Sequence, residues 1–318
     1  MSSPSAPGEG LRYHLVLLAG RPGWWRPVLG MLGFVVVMLG VVPLLLQAPF
    51  AGWFALTGEP VGDSMQRLVD LEDPTPLGLA YLNLVLAAAI PVTWLIVRVV
   101  HGMRPRWLAS VHPRIRWRWF ATCLGLAVVS LFATLVVSAM VPSSSSDPQV
   151  SGSLNDFTRT TRDFLLVVLL LTPLQAAGEE YAFRGYLTQA FGGLFRNRVA
   201  AILGPALLFA LAHGAQSAPV FFDRFAFGVV AGILVIATGG LEAGIAMHVL
   251  NNWLAFGLAL AFGDMGSTLN PTGGSWWSLP VTLTQSLVYL GLALLVARRR
   301  GLERATDPAV LVAPRGLV

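Results

Sequence analysis

Eight long apolar runs, at about 28–48, 77–97, 119–141, 164–186, 199–215, 221–238, 242–262 and 279–297, leave this chain few ways to fold in water. A bilayer's hydrocarbon core is spanned by about 20 apolar residues in a helix. Lipid offers no partner to backbone N–H and C=O groups, so only helices or a closed barrel can cross it. The runs are continuous rather than alternating, which selects helices. Composition agrees: 55% of residues are hydrophobic and only 12% are charged, where a soluble domain carries about one quarter. The predicted fold class is all-α, a polytopic membrane bundle of about eight helices.

The loops set an expected orientation. The 21 basic residues are all arginine. Arg98, Arg104, Arg106, Arg114, Arg116 and Arg118 fall between the second and third runs, Arg196 and Arg198 between the fourth and fifth, and Arg298, Arg299 and Arg300 after the eighth. Glu59, Asp63, Asp70, Glu72 and Asp73 lie between the first and second. Arginine-rich loops stay inside, so the expectation is a multi-pass cell-membrane protein with both termini cytoplasmic. Arg12, Arg21 and Arg26 precede the first run without a short cleavable core, so that run reads as a retained span. The organisation expected is a cytoplasmic segment 1–27 with a disordered start, a bundle 28–300 and a cytoplasmic tail 301–318. The polar stretch from Ser143 to Gly152 reads as a mobile loop. A net charge of +5 gathered in such loops is no nucleic-acid signal. The lipid bilayer is the expected partner. The single cysteine, Cys123, reads as a small core residue and excludes an intrachain disulfide.

A few polar residues inside the runs carry the functional information. Glu179 and Glu180 follow the apolar stretch from Leu165, and Arg184 follows them. A carboxylate in hydrocarbon costs several kcal/mol unless paired, hydrated or protonated. Glu180 and Arg184 stand four apart, acid first, which favours an ion pair along a helix. Glu179 points about 100° away and has no cation on its own helix, which makes it the expected working carboxylate. Phe209 and His213 are four apart, as are His248 and Asn252. Each pair shares a helix face, so the Phe209 ring is expected beside the His213 imidazole. Asp223 with Arg224 reads as a surface or interfacial pair, Glu242 as a cap on the seventh run, and Trp24, Trp25, Trp276 and Trp277 as interfacial anchors.

Glu179-Glu180-x-x-x-Arg184, Phe209-x-x-x-His213 and His248-x-x-x-Asn252, in that order, resemble the CAAX protease and bacteriocin-processing (CPBP, or ABI) family of intramembrane endopeptidases. Type II CAAX prenyl endopeptidases belong to that family. The resemblance covers the helices at about 164–262. It implies that Glu179 and His213 activate a water, that His248 and Asn252 stabilise the oxyanion, and that Glu180, Arg184 and Phe209 support the site. The implied substrate is a membrane-associated protein or peptide.

The residues make this chemistry reasonable by themselves. Peptide hydrolysis needs an activated water, donors for the oxyanion and a proton for the leaving amine. Two histidines and a glutamate also make Glu179, His213 and His248 candidate ligands for a divalent metal such as zinc, although no His-Glu-x-x-His arrangement is present. Two other functions use buried glutamates and histidines. One is a transporter or proton relay, against which no internal repeat is visible. The other is a catalytically silent scaffold or immunity protein.

Overall fold

The computed structural model describes residues 10–142, 151–214, 217–271 and 273–312. All but the last residue of the expected disordered start at 1–10, most of the polar loop (143–150) and the end of the tail (313–318) lie outside them. The helices that cross or line the bundle are α1 (Trp25–Thr57), α2 (Val61–Val69), α3 (Pro76–Val99), α4 (Trp117–Ser138), α5 (Arg159–Leu170), α6 (Thr172–Phe195), α7 (Arg198–Ala212), α8 (Ala218–Thr238), α9 (Glu242–Phe262), α10 (Met265–Leu269), α11 (Ser278–Arg299) and α12 (Pro308–Val312). No named strand occurs among the described residues.

Each of the eight apolar runs is helical over most of its described residues, but not all are long enough to be full spans. Six helices, α1, α3, α4, α8, α9 and α11, are long and apolar enough to cross a membrane. The fourth run is broken: α5 and α6 meet at a 41° bend and make a seventh span only if taken together. The cause is local. Pro173 has no N–H to continue the helical ladder, and Leu171 sits at φ −102° between the two helices. The fifth run forms α7, only 15 residues long. At helical rise that is roughly 22 Å, less than the hydrocarbon thickness. Of the about eight expected spans, six are thus helices long and apolar enough to cross, one is a bent pair and one is a shorter helix.

The break and the short helix are what deliver the site. The α6–α7 hairpin turns at Arg196, in the left-handed region at φ 49°, and Asn197. Asn197 Oδ1 caps α7 by accepting from the Val199 and Ala200 N–H groups at 2.7 and 3.3 Å. α7 then ends at His213, its C-cap, part-way through the bundle. Gly178 lets α6 lie directly against α3, because a Cβ there would run into the Leu86 carbonyl oxygen. From Glu180 to Leu187 α6 widens into a π-helix, a form concentrated at functional positions.

The two ends of the bundle are distinct. At one end Leu11 and Thr306 exchange hydrogen bonds at 2.9 Å, the Val111 N–H reaches the Gly239 carbonyl at 2.8 Å, and Arg116 pairs with Glu242 at 2.7 Å. The arginine-rich loop 100–116 and the segments 10–21 and 300–306 thus share one side. At the other end the Asn155 amide donates to the Leu260 and Gly263 carbonyls. A recess of about 330 Å³ there is lined by Glu72, Asp73, Thr158 and Asp264 among others. None of the four candidate catalytic residues lines it.

Glu242 does more than the sequence implied. It stands in the first turn of α9, but its carboxylate takes three N–H groups of Arg116 rather than capping its own helix. The pairing expected of Asp223 with Arg224 is also corrected. Both are partly buried in α8, make no ion pair with each other, and leave Asp223 Oδ1 and Arg224 Nε without a hydrogen-bond partner. Cys123 is fully buried. Trp24, Trp25, Trp276 and Trp277 are exposed.

Candidate active site

Two glutamates, an arginine and a histidine meet where α6 packs against α9. Arg184 Nη1 donates to Glu180 Oε1 at 2.9 Å, the pair spaced i,i+4 in the π-helical stretch. Both side chains are shut away from solvent, at 0% and 1% exposure. The other face of the guanidinium rests on the Phe209 ring, 4.2 Å from its centroid, a cation–π contact that gains weight when desolvated. Glu180 Oε2 and Arg184 Nη2 are buried without partners.

His248 of α9 enters between the two carboxylates. Its Nδ1 lies 3.0 Å from Glu180 Oε1 and its Nε2 lies 3.3 Å from Glu179 Oε2. Both ring nitrogens can donate at once only as imidazolium. In that form two carboxylates face two cations, Arg184 and His248, and the cluster is neutral. Glu179 has no cationic partner on its own helix, and the one it meets comes from another helix. Gly244 makes the approach possible. It sits one turn before His248, and a Cβ on it would come within 2.5 Å of Glu180 Oε2.

His213 and Asn252 flank this centre. His213 Nδ1 donates to the Phe209 carbonyl at 2.8 Å. That bond fixes the tautomer, so Nε2 carries the lone pair in the neutral ring. The His213 ring lies 4.7 Å from the Phe209 centroid, and Phe209 in turn faces His248 at 6.2 Å. One aromatic ring thus separates Arg184 and the two imidazoles. His213 is also within coulombic reach of Glu179. Asn252 does not touch the carboxylates. Its Nδ2 donates to Gln175 Oε1 at 3.0 Å. Next to it, Trp253 Nε1 donates to the Val168 carbonyl at 3.1 Å and fastens α9 to α5.

Gln175 is a polar member of this group that the motifs do not contain. A signal for it exists in the sequence: it is four residues before Glu179, in an apolar run, on the same helix face. The metal-ligand reading fares differently. Among the described residues no three His, Cys, Asp or Glu side chains are grouped to hold a metal ion, and both nitrogens of His248 are committed to carboxylates. As placed, Glu179, His213 and His248 are not a ligand set.

No solved structure matches the chain. It is similar to the uncharacterised protein YyaK of Bacillus subtilis (strain 168), 27% identical over 238 residues, which cover 70% of this chain and 77% of YyaK. Residues 161–254 match the family described as Type II CAAX prenyl endopeptidase Rce1-like, and that segment contains all three motifs and every contact of the site above.

Proposed function

We propose that this protein is an intramembrane endopeptidase that hydrolyses a peptide bond of a membrane-associated protein or peptide. The observation that carries this reading is the unequal exposure of two adjacent acids sharing one imidazole. Glu180 is 0% exposed and locked by Arg184 and His248, whereas Glu179 keeps 9% of its surface open. Glu179 is the carboxylate that a water can reach.

Glu179 takes a proton from the water while the Nε2 lone pair of His213 orients it, and the hydroxide attacks the scissile carbonyl. The developing oxyanion is met by the Asn252 amide and by His248 Nε2–H, whose 3.3 Å contact to Glu179 is the longer of its two. Glu179 then returns its proton to the leaving amine. Glu180 and Arg184 hold His248 in place. The membership of residues 161–254 in the Rce1-like match supports this class of reaction.

The test is cleavage of a membrane-inserted peptide by the purified protein in liposomes. Glu179→Gln keeps the size and loses the base. It is expected to cut the rate by about 10²–10⁴-fold with an unchanged melting curve. Near-normal activity in Glu179→Gln, with a stable but inactive Glu180→Gln, would transfer the base to Glu180. Ion-coupled uptake without cleavage by the unaltered protein would replace the peptidase by a transporter.

A further inference from the structure

The reaction above asks an uncharged amide, Asn252, to present an N–H to an oxyanion. An asparagine side chain has a donor end and an acceptor end, and only hydrogen bonds decide which one faces the site. Here the decision falls to a single partner. Asn252 Nδ2 donates to Gln175 Oε1 at 3.0 Å. Gln175 lies four residues before Glu179 on α6, and Asn252 lies four after His248 on α9. Residues four apart share a helix face. The two helices therefore meet through two polar rungs one turn apart, His248 with Glu179 and Glu180, then Asn252 with Gln175.

The environment sharpens the point. Gln175 is 7% exposed, in a helix whose neighbouring positions are Leu174, Ala176 and Ala177. A buried amide in a membrane helix is costly unless it is bonded. Its Oε1 is bonded to Asn252, while its Nε2 bonds to no described residue and is not fully enclosed.

We infer that Gln175 is a positioning residue for peptide cleavage. By accepting one N–H of Asn252 it fixes the amide plane, turns the remaining N–H toward the oxyanion and keeps the Asn252 carbonyl oxygen out of that position. A carbonyl turned inward would repel the developing negative charge rather than bind it. The inference rests on the peptidase reading and assigns to it a residue outside the three motifs.

The experiment compares the unaltered protein with Gln175→Met, Gln175→Glu, Asn252→Ala and the double variant Gln175→Met with Asn252→Ala, by steady-state cleavage of a membrane-inserted peptide and detergent melting. Gln175→Met keeps the length and removes the acceptor. Its kcat is expected to fall about 10–100-fold with KM within about twofold, the signature of a misplaced transition-state contact. Gln175→Glu retains an acceptor oxygen and is expected to recover most of that loss. The double variant should be no slower than Asn252→Ala alone, because Gln175 acts only through Asn252. A residue that merely supported the fold would give losses that add and track the melting temperature. If Gln175→Met does not fold, Gln175→Ala takes its place in the same comparison. A kcat near normal in the folded variant, or a loss that adds in full to that of Asn252→Ala, overturns the inference and leaves the peptidase reading intact. An unaltered protein that cleaves nothing overturns both.

Discussion

Glu180 and Arg184 carry opposite charges at a place that neither solvent nor lipid headgroup reaches. Removing one partner strips the other of its ion pair inside the bundle, and breaking a buried pair in this way costs about 3–5 kcal/mol. Glu180→Gln and Arg184→Gln are each expected to lower the melting temperature sharply, and the double variant to lose less than the sum of the two, as read by detergent melting curves. Full additivity would show that the pair is not coupled. Glu180→Gln should also slow cleavage, since Glu180 holds His248 at 3.0 Å. At this scale the sequence is readable along one helix and silent between helices. The Glu180–Arg184 and Phe209–His213 neighbours follow from i,i+4 spacing alone. The seat of His248 between two acids and the bond from Asn252 to Gln175 depend on how α6 and α9 are set against each other, which no local spacing encodes.

The helices themselves are shaped to bring those residues within reach. α9 can approach Glu180 because position 244 has no side chain. Ordinarily a carboxylate would swing away from an added methyl group, but this one is held by Arg184 and His248. Gly244→Ala is therefore expected to cost about 1–3 kcal/mol of stability, the usual range for overpacking, and to reduce cleavage by displacing His248. A melting curve and an activity assay on one preparation test both. Unchanged values would mean that Glu180 is free to move. Here the sequence revealed the apolar runs and missed how two of them end. Pro173 breaks the fourth into α5 and α6, and the fifth stops at His213 after 15 residues. Both departures lie at the site, where a regular span would carry these side chains past one another.

Across the whole molecule, the charge bias and the packing agree that residues 10–21, 100–116 and 300–306 share one side. We expect that side to be the cytoplasm. In a Cys123→Ala background, Ser153→Cys should react with an impermeant thiol reagent on intact cells, and Arg304→Cys only after permeabilisation; both positions are exposed. The reverse pattern would invert the protein. The same side holds two buried histidines. Burial, aided by Arg198 and Arg12, lowers the pKa of His14 to about 4. Burial, aided by Arg26, does the same to His101. Unfolding lets each take up a proton near pH 6.5, so this contribution to stability is present above about pH 6.5 and is lost progressively down to about pH 4. The melting temperature should fall across that window, and less steeply in His101→Gln. An equal fall in both would assign the acid sensitivity elsewhere.

The clasp between Leu11 and Thr306 has a consequence for the order in which the molecule is completed. A ribosome delivers residue 11 early and residue 306 after all the spans are made. Through that interval the Leu11 N–H and C=O wait for partners nearly 300 positions downstream. Arg116 waits likewise for Glu242, which opens the helix carrying His248. The side that carries the arginine-rich loop is thus finished last, and its closure is tied to the arrival of the helix that carries His248.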